Sequence, residues 1–265
     1  MKKQYVKSLF GIVVALFFCL YEVFNVFATN NDCISWYCIR EKNHAQPGLD
    51  STLSVIDGYK CLYLDKLHSS QSEERVVYLT FDVGYENGNV GRILDIMKNN
   101  DVRGAFFILG NVINKEPQLV ERMIDDGHTV CNHTFSHKNM TKCANLTEFK
   151  EEIERLETAY AELTGKSISK YYRPPEGRFN EQNLKHAQEL GYTTVFWSFA
   201  YADWDNDNQP SPEKAYKIIM DNIHNGAILL LHPTSSTNAE ILDCVIRDLK
   251  KGGYRFGSLD EIQIG

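Results

Sequence analysis

No run of lysines and arginines stands out in the 265-residue sequence, and that lack excludes a large class of functions. Nucleic-acid binding relies on clustered positive charge that displaces counterions from phosphates. Here 28 basic residues face 35 acidic ones, for a formal net charge of -7. Internal repeats, low-complexity tracts and coiled-coil heptads are also missing, so nothing speaks for a solenoid or fibrous partner-binding role. The seven cysteines include no Cys-x-x-Cys pair, which argues against a structural zinc knuckle. Apolar residues are not scarce. They make up 43% of the chain, enough for a globular core.

The N-terminus is unlike the rest. Lys2, Lys3 and Lys7 accompany an apolar run over residues 10–20, and Val26-Phe27-Ala28 has a small-x-small character. That order reads as a signal peptide over residues 1–28, cut after Ala28, with export to the cell envelope or beyond. The alternative is an uncleaved membrane anchor, with residues 21–27 lengthening the apolar run toward the ~20 residues of a span. Cys33 and Cys38 lie close together, and an exported chain could form disulfides there. Residues 29–72 are polar and irregular and read as an N-terminal extension. Residues 73–265 read as the main domain.

From residue 75 the pattern becomes regular. Apolar strand-like runs at 76–81, 104–109, 128–131, just before 173, 192–197, 227–231 and 254–256 alternate with helical stretches. The helical stretches are 90–99, 117–126, 147–163 starting on an N-cap Thr147, 181–190, 211–224 and 238–251. Near-continuous apolar strands between helices signal an α/β fold with a parallel sheet covered by helices. Six or seven repeats suit a barrel better than a small open sheet. In such folds the chemistry sits where strands end at their C-termini.

Polar residues do follow these strands. Asp82 ends the first run, in Thr80-Phe81-Asp82-Val83-Gly84-Tyr85-Glu86-Asn87-Gly88. Asn132-His133-Thr134-Phe135-Ser136-His137 follows the third. Then come Tyr172-Arg173-Pro174-Pro175-Glu176-Gly177, Tyr201-Ala202-Asp203-Trp204, and His232 after Leu230-Leu231. If residues 133–137 are helical, both imidazoles lie on one face and can share a cation. Two neutral nitrogens suit zinc or another borderline divalent metal. Taken singly, each residue has a plainer reading: Asp82 a helix cap, His232 a satisfied core histidine, Arg173 a surface ion pair, Trp204 core. Their shared placement at successive strand ends favours a site.

These stretches resemble the motifs of the polysaccharide deacetylase (NodB-like) family over roughly residues 75–262. His-Thr-x-x-His, Arg-Pro-Pro-x-Gly, Asp-Trp and Leu-Leu-His occur in that family's order. The Thr-Phe-Asp-x-Gly-Tyr-Glu-Asn-Gly form, with Phe196-Trp197-Ser198, looks most like the branch that deacetylates N-acetylmuramic acid of peptidoglycan during spore-cortex formation. The resemblance implies a distorted (β/α) barrel of about seven strands and a metal-assisted hydrolase acting on peptidoglycan strands, with no nucleic-acid partner and as a monomer. It implies Asp82 as general base, His232 as general acid, and His133 and His137 as holders of a divalent metal such as zinc. Arg173 would orient Asp82, and Asp203 would position Arg173 or His232. The Glu176 backbone N–H would serve the oxyanion, and Trp204 and Leu230 would line the acetyl pocket. Val83 departs from the family's second aspartate, a usual metal ligand. Tyr201 stands where many members carry an aspartate. Two other readings stay open: a deacetylase of N-acetylglucosamine or chitin-type polymers, and a catalytically weakened glycan-binding protein.

Overall fold

A computed structural model describes residues 32–263. The signal peptide and cleavage site expected over residues 1–28 lie outside the described residues. No helix among those described is long and apolar enough to cross a membrane. The strands are β1 (Ile34–Ser35), β2 (Cys61–Leu62), β3 (Arg75–Val83), β4 (Ala105–Ile108), β5 (Thr129–Asn132), β6 (Tyr171–Tyr172), β7 (Arg178–Phe179), β8 (Thr193–Val195), β9 (Ala227–Leu231) and β10 (Tyr254–Phe256). The helices are α1 (Val90–Asn99), α2 (Gly110–Lys115), α3 (Pro117–Asp125), α4 (Leu146–Thr164), α5 (Glu181–Glu189), α6 (Pro212–Asn222) and α7 (Ser236–Lys251).

Eight strands make one parallel sheet in the order β10-β3-β4-β5-β6-β8-β2, with β9 paired to β3. The sheet curls until its path nearly meets itself. Past β8, Phe199 bridges Leu229 of β9 in parallel, and the Leu230 N–H donates to the Phe199 carbonyl at 2.9 Å. The expected distorted barrel is therefore what forms.

Side chains alternate across each strand. On β3, Val77, Leu79, Phe81 and Val83 join the outer layer with Ile93 and Met97 of α1 and Val245 and Ile246 of α7. Val76 and Tyr78 point the other way, among Phe107, Cys131, Val195 and Ile228. The same alternation puts Thr80 and Asp82 on the inner face.

Helix ends follow local chemistry, with two differences from expectation. The N-cap of α4 is Asn145, whose side chain accepts the Glu148 N–H, and not Thr147. The helix stops on Gly165 at φ 67, a left-handed value that favours glycine. Likewise α7 begins earlier than residue 238, because Ser235 caps it by accepting the Asn238 N–H at 3.0 Å. Helix α2 carried no sequence signal; it is a six-residue turn after β4.

Residues 32–72 are built into the sheet's surroundings. Strand β2 pairs with β8, and β1 pairs antiparallel with β7. Trp36 is 5% exposed and stacks on Phe196 with centroids 4.2 Å apart. Its indole N–H donates to the Trp197 carbonyl at 2.9 Å, and its backbone N–H to the Gly177 carbonyl at 2.9 Å. Arg40 reaches the Ala200 carbonyl at 2.5 Å. This stretch ties together the chain after β6 and the chain after β8. Among the described residues, Cys33, Cys38, Cys61, Cys131, Cys143 and Cys244 are free in the structure.

Trp36→Ala is expected to lower the unfolding free energy by about 3–5 kcal/mol, the range for truncating a buried aromatic. Urea denaturation followed by circular dichroism measures it. A loss under ~1 kcal/mol would show that the N-terminal stretch is not part of the folded unit.

Candidate active site

The site assembles one residue beyond the last paired positions of two strand pairs, β3 with β9 and β5 with β6. Strands β3 and β9 pair as far as Phe81 with Leu231. The next residues are Asp82 and His232, so a carboxylate and an imidazole leave adjacent parallel strands, about 4.8 Å apart, at one level. Strands β5 and β6 pair at Asn132 with Tyr172. The next residues there are His133 and Arg173, and the His133 Nδ1 meets the Arg173 carbonyl at 2.9 Å.

Arg173 is fully buried. Its Nη1 donates to Asp82 Oδ1 at 2.7 Å, and its Nη2 to Thr80 Oγ1 at 2.8 Å and to the Phe196 carbonyl at 3.3 Å. Its Nε donates to the Val195 carbonyl at 3.0 Å. The guanidinium lies 4.1 Å over the Phe107 ring. Thr80 in turn donates to the Leu229 carbonyl at 2.6 Å. The guanidinium therefore has partners on β3 and β8, and cannot leave without unpairing a buried carboxylate. Burial alone would raise the Asp82 pKa. The charges of Arg173, His133 and His232, with the Arg173 hydrogen bond, outweigh burial and hold it below the ordinary carboxylate value.

His232 is held by Asp203, which is fully buried. Asp203 Oδ1 lies 2.8 Å from His232 Nδ1, and Oδ2 accepts the His232 backbone N–H at 2.8 Å. Asp203 thus serves His232; none of the Arg173 hydrogen bonds goes to it. The contact places the ring proton on Nδ1 and leaves Nε2 for the mouth. Burial disfavours the imidazolium, but the Asp203 hydrogen bond and charge, with the charge of Asp82, raise the His232 pKa above 6.5.

The segment 133–137 is not helical. Thr134 and His137 take left-handed conformations at φ 72 and φ 60. Side chains replace helical hydrogen bonds: Asn132 Oδ1 accepts the Thr134 N–H at 2.8 Å, and Thr134 Oγ1 accepts the His137 N–H at 3.0 Å. The buried Glu152 of α4 accepts the Ser136 N–H at 3.0 Å. The turn still brings the two imidazole rings together, with centroids 5.1 Å apart. His133 Nε2 lies 3.5 Å from Asp82 Oδ2. Burial pushes the His133 pKa down to about 4 against the pull of Asp82, so the ring is neutral and its Nε2 bears a lone pair.

Of the remaining sequence candidates, Glu176 has φ 58, a left-handed value stored in the Pro-Pro-Glu-Gly turn, and its carboxylate pairs with Arg178 at 2.9 Å. Leu230 is in register with Thr80 and so shares the inner face, below His232. Trp204 is neither core nor a buried wall. It stands 64% exposed beside Asp203, with Tyr85 also exposed and bonded through its hydroxyl to Asn206 at 2.5 Å. Val83 is fully buried in the outer apolar layer. Thr80, Glu152 and Asn238 were not singled out from sequence. Thr80 had a signal, being two residues before Asp82 on the same strand face; the other two had none.

A family model described as polysaccharide deacetylase matches residues 69–195. The chain is 42% identical over 236 residues to the peptidoglycan-N-acetylmuramic acid deacetylase PdaA of Bacillus subtilis, covering 89% of this chain and 88% of that protein. It is 34% identical over 187 residues to a peptidoglycan-N-acetylglucosamine deacetylase of Bacillus cereus, covering 69% and 66%. The solved structure of Bacillus subtilis PdaA, a family 4 carbohydrate esterase, superimposes with a TM-score of 0.82 at 41% identity, over 88% of this chain and 97% of that one.

Arg173→Met is expected to reduce the unfolding free energy by about 3–5 kcal/mol, because it strands a carboxylate whose side chain is only 10% exposed. Adding Asp82→Asn should recover more than half of that, since the stranded charge is gone. Equal losses in single and double variants, by urea denaturation at neutral pH, would contradict the pairing.

Proposed function

The chain belongs to the polysaccharide deacetylase family, and on that premise we propose that it hydrolyses the N-acetyl groups of peptidoglycan amino sugars, N-acetylmuramic acid in particular. The observation that carries this reading is the pair Asp82 and His232, each held by a buried partner, at one level on neighbouring strands. The similarity to PdaA over most of both chains supports the choice of sugar. Export led by residues 1–28 would bring the enzyme to its polymer, and the branch it resembles puts its use in spore-cortex formation.

In this reading Asp82, ionised at neutral pH, takes a proton from the water that attacks the acetamide carbon. The Glu176 backbone N–H donates to the oxyanion that forms. His232, protonated and aimed by Asp203, gives its proton to the departing amine, which leaves poorly as an anion. Arg173 keeps Asp82 ionised and fixed. Leu230 offers an apolar surface to the acetyl methyl. Trp204, exposed at the rim, meets the glycan outside the reacting pocket.

The donor set fits a divalent cation held by two imidazoles, His133 and His137. His133 is neutral and its Nδ1 is fixed by the Arg173 carbonyl, so its Nε2 is the free donor. No group of three or more metal-ligating side chains occurs among the described residues. Val83 supplies no third ligand, so binding should be weaker than at a three-ligand zinc site. When bound, such an ion would acidify water and polarise the acetamide carbonyl.

The first test is incubation of purified enzyme with defined glycan fragments, followed by mass spectrometry. Loss of acetyl from N-acetylmuramic acid is expected; loss only from N-acetylglucosamine would move the assignment to that sugar, and loss from neither would leave a glycan binder. Asp82→Asn should abolish turnover, by about a thousandfold or more, in a protein that still folds but melts below wild type, because the buried Arg173 loses its anionic partner.

The pH profile follows from the two shifts. His232 has a raised pKa, so its acid function persists past pH 6.5 and is lost as pH climbs through the raised value. Asp203→Asn removes the cause and should move the alkaline limb of kcat to lower pH. An unmoved limb would show that Asp203 does not act through His232.

Val83→Asp should melt lower than wild type without metal, because it buries a charge. Zinc should raise its melting temperature no more than it raises that of wild type, because position 83 faces the outer layer and not the inner face that carries Asp82. A larger zinc shift in the variant would show that position 83 reaches the cation.

A further inference from the structure

The carboxylate that aims His232 is itself held by a residue outside every motif described above. Asn238, in the first turn of α7, is 1% exposed. Its Nδ2 donates to Asp203 Oδ2 at 2.6 Å and to the His232 carbonyl at 3.1 Å. Its Oδ1 accepts from the Tyr201 hydroxyl. Its backbone N–H is fixed by Ser235, the N-cap of α7, at 3.0 Å.

We propose that Asn238 is a positioning residue for the deacetylation, acting through Asp203 on His232, and that the Tyr201 hydroxyl sets the direction of its amide. The inference rests on the reading of His232 as the general acid. An ionised carboxylate only accepts hydrogen bonds, so Asn238 must turn its NH2 toward Asp203. A flipped amide would set its oxygen against two acceptors, the carboxylate and the His232 carbonyl. The Tyr201 hydroxyl blocks that flip by donating to Oδ1. Burial raises the Tyr201 pKa, which keeps the phenol protonated and able to donate.

The three bonds on Asp203 then have separate sources. Two come from His232, through Nδ1 and the backbone N–H; the third comes from Asn238 and stops the carboxylate from rotating about its bond to Cβ. A fixed carboxylate keeps the proton on His232 Nδ1 and the ring plane constant, so Nε2 stays aimed at the departing nitrogen. This gives the unusual tyrosine at position 201 a purpose. An aspartate there is an acceptor when ionised and could not hold the Asn238 oxygen.

Asn238→Leu keeps the approximate volume and removes the donors. Tyr201→Phe removes a single oxygen. For the folded Asn238→Leu protein, kcat on glycan strands is expected to fall about tenfold while KM stays within about twofold, the pattern of a lost orientation rather than lost binding. Tyr201→Phe should lower kcat by roughly threefold alone and not further in the Asn238→Leu background, because both act through one amide. In parallel, the ring nitrogens of His232 should show a single Nδ1–H tautomer in wild type and a mixture in both variants, by 15N NMR of the full chain with His232→Gln for assignment.

Wild-type kcat together with unchanged ring-nitrogen shifts in a folded variant would overturn the proposal. Should Asn238→Leu fail to fold, Tyr201→Phe carries the same two readouts. A wild-type protein without deacetylase activity would defeat the functional reading, and the ring-nitrogen shifts would still decide whether Asn238 and Tyr201 fix His232.

Discussion

A guanidinium sealed inside the barrel is the constraint on which the site depends. Arg173 has no exposed surface, and its hydrogen bonds run to one carboxylate, one hydroxyl and two backbone carbonyls. Taking a charge out of water is expensive, and a buried pair is tolerated only when geometry and hydrogen bonding are good. Here the arrangement does two things at once. It joins β6 to β3 and β8 through the middle of the barrel, and it leaves Asp82 ionised in surroundings that would otherwise favour the acid. Asp203 does the same for His232 with the opposite sign. A buried anion holds a cation-forming ring, as a buried cation holds an anion.

These partners matter because the sheet has already brought the reacting groups to one level. Parallel strands in register deliver their next residues side by side, so the end of the β3–β9 pairing places Asp82 beside His232, and the end of the β5–β6 pairing places His133 beside Arg173. No long loop has to find its place for these four. The exception is His137, which needs the left-handed residues at 134 and 137 and the support of Glu152 to come back to His133. Backbone strain of this kind persists where surrounding structure over-determines it.

The sequence carried most of the frame and the outer identity of the site. Apolar runs at β3, β4, β5 and β9 were plain because both faces of a parallel sheet are buried. Asp82, His133 and His232 were visible as polar residues at the ends of the runs at β3, β5 and β9, and Arg173 directly after the short run at β6. What stayed hidden depends on contacts between distant segments. Nothing near Asp203 reveals whether it serves Arg173 or His232; the register of β9 decides it. The four-residue spacing of His133 and His137 left open whether that segment is helical; Asn132, Thr134 and Glu152 supply competing hydrogen bonds that bend the chain otherwise. Trp204 was expected to line the acetyl pocket and stands 64% exposed instead, since the chain leaves the sheet after Phe199. Residues 32–72 lacked period because their order comes from single anchors such as Trp36 rather than from a repeating face.

The most direct test of this account is the ionisation of Asp82 in the intact enzyme, followed through its 13C-labelled carboxyl by NMR and assigned with Asp82→Asn. The account requires a titration below the ordinary carboxylate range, with the group fully ionised at neutral pH and set apart from the protein's exposed aspartates. A carboxyl that titrates at or above the ordinary value would mean that Arg173 does not hold the base in its reactive form, and the proposed chemistry would lose its first step.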